Sequence, residues 1–386
     1  MPGMGNRLQD SPKPHFSLET TQPMSFGYGF ISGLLSAILG IAGFGAVLCF
    51  LFPQYLTFTQ LRPLYSLDYL RALIHVTLVA SFLLGSISAV LRANKTLALT
   101  GIGFTLAAAL LGGSRVPVGG EGRIGTVLGL DFFVLNLLLY SAVFIPLERL
   151  FALRAQQPIF RRQWPVDLTY FFINSLLIEI LTIFTLKPAL ILFSWAQIGW
   201  LMTAVGALPL VVQVFLILLV ADFTQYWVHR TFHAVPFLWP FHAIHHSATE
   251  MDWLAGSRLH LVDVIVTRGL TYVPIFALGF SEQAVMIYVF LVAAQATFIH
   301  SNVRWQFRPL RKLIATPAFH HWHHSAERDA VDKNFAVHTP IWDSLFGTYY
   351  LPNRWPSEYG LADGRDVPAR WMTQLTYPLR RRSRGI

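Results

Sequence analysis

The stretch LMTAVGALPLVVQVFLILLVADFTQYWVHRTFHAVPFLWPFHAIHH, residues 201–246, decides the fold. Its first part, Leu201 to Ala221, contains no Asp, Glu, Lys or Arg and reaches the roughly 20 residues that cross a bilayer core. Its second part carries His229, His233, His242, His245 and His246. An apolar span therefore runs directly into a histidine-rich segment, and the sequence on either side repeats both themes.

Other apolar runs of comparable length are Phe26–Phe52, Ala72–Leu91, Thr96–Leu111, Phe132–Leu147 and Asp167–Leu186, the last holding only Glu179 after its leading aspartate. Much of Leu270–Ile299 is apolar as well, which gives about eight spans. Only 13% of the chain is charged, against about 25% in a soluble domain. The expected fold class is all-α: a polytopic helical membrane protein. Cys49, the only cysteine, lies inside the first run, so disulfides, a cysteine-ligated zinc site and an iron–sulfur cluster within the chain are excluded. The net charge of +9 gathers beside the spans, at Arg149, Arg154, Arg161 and Arg162 and at Arg380, Arg381, Arg382 and Arg384. That is the pattern of positive loops facing anionic lipid, and it argues against nucleic acid as a partner.

Four segments follow: a polar leader (1–25), an N-terminal transmembrane module (26–130), a catalytic core (131–351) and a cytoplasmic tail (352–386). The stretch Gly112–Gly129 reads as a loop that ends the first module. With the Arg149–Arg162 loop in the cytoplasm, the span from Asp167 leaves it and the chain returns at Tyr226–His229. Lys187–Trp200 becomes a short far-side segment broken by Pro188. Val262–Phe280 and Glu282–Ile299 form a hairpin that dips into the bilayer and returns.

Twelve of the fourteen histidines fall between His229 and His338. His229 and His233 form H-x-x-x-H; His242, His245 and His246 form H-x-x-H-H; and His320, His323 and His324 form a second H-x-x-H-H. Spacings of three and four put side chains on one helix face, where imidazoles converge on an ion at about 2.0–2.1 Å. His260 and His300 flank the hairpin and lie at the same depth, so ten histidines meet at one membrane edge. His321 and His338 are off the motif face and read as non-ligands, and His75 as a buried hydrogen-bonded residue. Ten imidazoles are too many for one tetrahedral ion, so two metals are implied. Neutral imidazole suits zinc, copper, iron and nickel alike.

The run Asp222-Phe-Thr-Gln-Tyr-Trp-Val-His229-Arg-Thr-Phe-His233 resembles the opening motif of the fatty acid hydroxylase superfamily, which includes sterol desaturases and alkylglycerol monooxygenase. Leu238 to Ser247, Arg258-Leu-His260, Pro317 to Ser325, Asn334-Phe335 and Trp342 to Thr348 continue the likeness over more than half the chain. Two departures stand out: His260-Leu-Val-Asp263 replaces the family's H-P-x-E, and Asn334-Phe335-Ala336 replaces N-[FY]-G. The resemblance implies a helical membrane fold with a cytoplasmic histidine cap over a dimetal site. It implies two iron ions, with zinc as a substitute in a purified sample, and O2 as oxidant. It also implies His229, His233, His242, His245, His246, His260, His300, His320, His323 and His324 as ligands.

Oxidising an unactivated C–H bond needs a redox metal, which zinc is not. Asp222, Asp263 and Asp343 are candidates to accept an imidazole N–H and fix its tautomer. No dinucleotide, haem or cluster motif occurs, so electrons are expected from an external ferredoxin or cytochrome b5-like donor docking on the basic cytoplasmic face. The expected reaction is hydroxylation, or else desaturation, of a lipid- or sterol-like substrate drawn from the bilayer. The alternatives are a zinc-dependent membrane hydrolase, which needs fewer ligands, and a metal transporter, which would place its charges at the bilayer midplane.

Overall fold

The structure, a computed structural model, describes residues 28–58, 62–92, 94–119 and 128–380. The leader, most of the loop before Gly129, His15 and the arginines at 381, 382 and 384 lie outside the described residues. In chain order the helices are α1 (Phe30–Leu51), α2 (Pro53–Leu56), α3 (Leu67–Leu91), α4 (Thr96–Leu110), α5 (Leu130–Leu150), α6 (Trp164–Leu176), α7 (Ile178–Leu192) and α8 (Gly199–Gly206). They continue with α9 (Leu210–Ala234), α10 (Trp239–His246), α11 (Leu261–Leu278), α12 (Glu282–His300), α13 (Pro317–His323), α14 (Ile341–Leu345) and α15 (Trp371–Thr376). No strand is formed among the described residues; there are only two isolated bridges, Ala152–Val303 and Ser325–Tyr359.

Seven helical stretches among the described residues, α1, α3, Thr96–Arg115, α5, α9, α11 and α12, are long and apolar enough to cross a membrane. The pair α6 and α7 makes an eighth if counted as one span broken by a 66° bend. Outward-facing Leu83, Val90, Val211, Phe215 and Phe290 are all exposed, as a surface solvated by lipid tails requires. The chain is a multi-pass helical membrane protein.

Helices α1, α3 and α4 pack on one another through small residues that let the backbones approach. Ser36 Oγ donates to the Ser81 carbonyl at 2.7 Å, and Ser81 Oγ donates back to the Ser36 carbonyl at 2.7 Å. A Cβ on Gly101 would sit 2.5 Å from the Ser36 carbonyl carbon, so only glycine fits there.

Hydropathy misplaces one boundary. The span expected at Leu201–Ala221 is two helices: α8 stops at Gly206 and α9 starts after Pro209, the N-cap. The Gln213 side chain turns back to the freed carbonyls of Gly206 and Leu208 at 3.1 and 2.8 Å. From there α9 runs unbroken to Ala234, with Asp222, Tyr226, Val228 and Phe232 buried along it. Likewise α7 continues past Pro188, so no break occurs at that residue. The hairpin forms as α11 and α12, turned by Gly279 at φ 72°, where a Cβ would lie 2.5 Å from Met202. His75 is exposed, not buried, because it lies on the outer face of α3; Ser114 Oγ is its one polar contact among the described residues, at 3.4 Å.

Residues 352–380 fold back over the histidine region. Trp322 Nε1 donates to the Arg354 carbonyl at 3.1 Å, and Tyr359 closes a bridge to Ser325. Replacing Gly101 by valine overfills the α1–α4 contact, at about 1–3 kcal/mol for such overpacking. Thermal unfolding in detergent is expected at a lower temperature for Gly101→Val, with the metal content of the distant histidine region unchanged.

Candidate metal centre

Each histidine motif occupies a helix end. His229 and His233 form the last turns of α9, and His300 is the final residue of α12. Helix α10 opens with Pro240 in its first turn and displays His242, His245 and His246. Helix α13 is capped by Thr316, whose hydroxyl accepts from Phe319 N at 3.3 Å, and displays His320 and His323, with His324 as its C-cap. Both spans end on the site, so these helix ends bring all three motifs to one end of the bundle.

Nine imidazoles assemble into two adjoining groups. One contains His229, His233, His242, His246 and His323; the other contains His245, His300, His320 and His324. Within each group one nitrogen per ring lies within 4.8 Å of all the others. The groups share a wall: the His246 and His324 rings are stacked 4.5 Å apart, and those of His320 and His323 5.2 Å apart.

The structure does not bring His260 to these nine. Its Nδ1 accepts from Val262 N at 3.1 Å as the N-cap of α11, and its Nε2 faces the Leu375 carbonyl at 3.2 Å, so both nitrogens are occupied. His321 is also outside, with Nδ1 on Tyr359 Oη at 2.8 Å and Nε2 on the Ser301 carbonyl at 3.1 Å; burial pushes it down to about 3. His338 lies outside both groups as well.

Hydrogen bonding at Nδ1 fixes what the rings offer inward. His229 Nδ1 donates to the Phe335 carbonyl at 2.7 Å and His242 Nδ1 to Asp263 Oδ2 at 2.6 Å. A neutral imidazole with its proton on Nδ1 has only a lone pair on Nε2. The His229 and His242 Nε2 atoms nevertheless face each other at 2.9 Å. In the second group His245 Nδ1 donates to the Arg258 carbonyl at 3.2 Å and His300 Nδ1 to the Ala296 carbonyl at 2.5 Å, while their Nε2 atoms stand 3.2 Å apart. His320 Nε2 lies 3.0 Å from His300 Nε2 and 3.1 Å from His324 Nε2. Two lone pairs at this range repel unless a cation lies between them. Nitrogens bound to one ion at about 2.0–2.1 Å sit about 2.9–3.4 Å apart, depending on the angle. The Nε2 atoms of His233, His246 and His323 are buried with no hydrogen-bond partner among the described residues. The donor set fits two metal ions.

Electrostatics agree. Burial, followed by neighbouring imidazoles, holds His245, His246, His320, His323 and His324 well below the ordinary histidine value, so these rings stay neutral and able to bind metal.

Of the three aspartates singled out in the sequence, only Asp263 faces an imidazole. Asp222 accepts from the amides of Val337, His338 and Thr339 at 2.9, 2.9 and 2.8 Å. Asp343 accepts from Phe335 N at 2.8 Å and Ala336 N at 2.9 Å. They hold a loop, and that loop holds histidines: besides the Phe335 carbonyl, the Lys333 carbonyl takes His323 Nδ1 at 2.7 Å and Asp332 Oδ1 takes His233 Nδ1 at 3.1 Å. Asp332 and Asn334 adopt φ of 55° and 60°, a left-handed conformation that turns successive carbonyls to one side. Asn334 is pinned by Nδ2 to the Phe319 and Tyr350 carbonyls and by Oδ1 to Tyr350 N. These backbone acceptors were not among the candidates named from sequence; the only trace of them is the pair Asn334-Phe335.

The second group rests on buried charge. Arg258, whose carbonyl orients His245, is bound through Nε to Asp167 Oδ1 at 2.5 Å and through Nη1 to Ser247 at 3.1 Å. Arg161 joins Asp167 to Asp252, with 2.7 and 2.8 Å contacts to the latter. Arg161 and Asp167 are 0% exposed and Arg258 1%, so removing any one strands a buried charge at about 3–5 kcal/mol.

Residues 214–348, which span this architecture, match the family model for fatty acid hydroxylases. That match covers about a third of the chain and makes it similar to the fatty acid hydroxylases there. The chain is 33% identical over 177 residues to an ornithine lipid hydroxylase of Rhizobium tropici, covering 46% of this chain and 53% of that one. It is 32% identical over 132 residues to human alkylglycerol monooxygenase, covering 34% of this chain and 29% of that one. With a fatty acid hydroxylase of Lecanicillium it shares 30% identity over 148 residues, 34% of this chain and 40% of that one. The chain thus spans about half or less of the length of these relatives. No solved structure matches it.

Within this matched segment, Asp263→Ala leaves His242 without its acceptor. Metal affinity is expected to fall about 10–100-fold in competitive titration against a chelator. Asp263→Asn, which keeps an acceptor oxygen, is expected to lose less.

Proposed function

We propose that this protein is a membrane-bound hydroxylase, an oxidoreductase that uses two iron ions and O2 to place a hydroxyl group on a C–H bond of a lipid-like substrate. The observation that carries the reading is nine histidines in two adjoining groups, six of them turned by an Nδ1 bond so that Nε2 faces inward. Iron bound there would supply the one-electron chemistry that activates O2, which redox-inert zinc lacks. The names of the relatives, an ornithine lipid hydroxylase and alkylglycerol monooxygenases, favour a lipid with a polar head as substrate.

The chain's own residues do the positioning. Carbonyls of Phe335, Lys333, Arg258 and Ala296 and the carboxylates of Asp263 and Asp332 keep the Nδ1 protons outward and the donor atoms inward. Buried Phe335 packs on the His229, His233 and His323 rings and covers that side of the five-histidine group. The site lies where the apolar helices α9 and α12 end, which suits a substrate held in the bilayer. We place that end on the cytoplasmic side, where the Arg149–Arg162 loop follows the positive-inside tendency. There an external ferredoxin or cytochrome b5-like protein would deliver electrons.

Two irons per chain, together with O2-dependent appearance of a hydroxylated lipid in membranes containing the protein, are the expected outcome of metal analysis and lipidomics. Zinc as the working metal with O2-independent turnover would sink the reading.

A further inference from the structure

The two histidine groups are built differently, and the difference has a direction. A cavity of 320 Å³ opens on the five-histidine group, with His233, His246, His323, Trp239, Arg328 and Asp332 in its wall. No member of the four-histidine group lines it, and all four of those rings are buried. The cavity is many times the roughly 30 Å³ share of one water, and exposed Arg328 and Asp332 set its rim in solvent.

Within the five-histidine group one ring's outer hydrogen bond ends on an exposed side chain. His229 and His323 donate to backbone carbonyls at 2.7 Å, and His242 to the buried Asp263 at 2.6 Å. His233, whose own side chain is 7% exposed, donates at 3.1 Å to the side chain of Asp332, which is 62% exposed. A solvated carboxylate on a flexible χ1 is a weaker tether than a carbonyl fixed in a pinned loop. In the four-histidine group the Ala296 carbonyl takes His300 and the Arg258 carbonyl takes His245, while His320 and His324 Nδ1 have no partner among the described residues, so what sets this group apart is its enclosure.

We infer that the two metal sites are inequivalent: the five-histidine site exchanges its ion and admits small anionic ligands through the cavity, with His233 as the yielding ligand and Asp332 as its positioning residue. The four-histidine site is closed and retains its ion. This rests on the proposed metal binding and adds to it which of the two sites meets an exogenous ligand.

The test uses the full chain in detergent, loaded with two equivalents of iron and challenged with excess EDTA while retained metal is counted. Loss in two phases of one equivalent each is expected. Asp332→Ala should speed the fast phase about ten-fold, within the range for an outer partner of a ligating histidine, and leave the slow phase alone. Asp332→Asn, which keeps an acceptor oxygen, should stay near the parent rate. His324→Ala should abolish the slow phase and spare the fast one. Sodium azide should perturb the spectrum of the fast-exchanging ion alone. A single phase, an Asp332→Ala rate equal to the parent, acceleration of both phases together, or azide acting on the slow ion or on neither overturns the inference. A chain that binds no metal overturns the metal-site reading itself, which separates the two failures.

Discussion

Everything at the site depends on a proton placed on the outer nitrogen of a ring. His229, His242, His245 and His300 each donate through Nδ1 to a carbonyl or carboxylate, and this single bond sets the tautomer, the ring plane and the direction of the lone pair. Nitrogen lone pairs 2.9–3.2 Å apart in a buried space are unfavourable by themselves. The rest of the fold is the machinery that keeps the rings turned inward against that repulsion until a cation relieves it.

That machinery consists mainly of backbone. In the five-histidine group three acceptors come from four consecutive residues, Asp332 to Phe335, and the conformation of that segment is imposed from outside. Asn334 ties it to α13 and Tyr350, Asp343 takes two of the following amides, and Asp222 takes three more from within α9. Each carboxylate thus satisfies amides that a turn would otherwise leave unpaired in a dry interior. Asp222 sits two helical turns before His229 on the same helix, so α9 both carries ligands and anchors the loop that orients them. Substitution of Asp222 or Asp343 acts on the metal only through the backbone, whereas substitution of Asp263 acts on an imidazole directly.

Much of this was legible in the sequence, and the parts that were not share a cause. Helical class, the approximate spans and the grouping of histidines follow from hydropathy and from spacings of three and four, which are local properties. The start of α9 was missed because Pro209 divides an apolar run that hydropathy averages over, whereas its continuation through His229 and His233 follows from their spacing. His260 carries the same sequence signals as His300, lying at a hairpin end beside a span. What separates them is a capping bond to Val262 and the Leu375 carbonyl, 115 residues away. Main-chain acceptors such as Lys333 and Phe335 leave no residue-type signature, since any side chain could supply the same carbonyl.

The division into one open and one enclosed group follows from where each set of acceptors originates. Acceptors on α12 and on the Arg258 segment are fixed by helix geometry and by buried ion pairs, and they surround the four-histidine group on the side facing the bundle. Acceptors on the 332–335 loop reach the five-histidine group from the surface, where the returning segment Gly360–Asp363 completes the cavity wall. Both groups draw ligands from spans and from short helices: α9 carries His229 and His233 of one, α12 carries His300 of the other, and α10 and α13 contribute to both. The asymmetry between the groups therefore lies in what covers them, an opening walled by surface segments on one side and packed helix ends on the other.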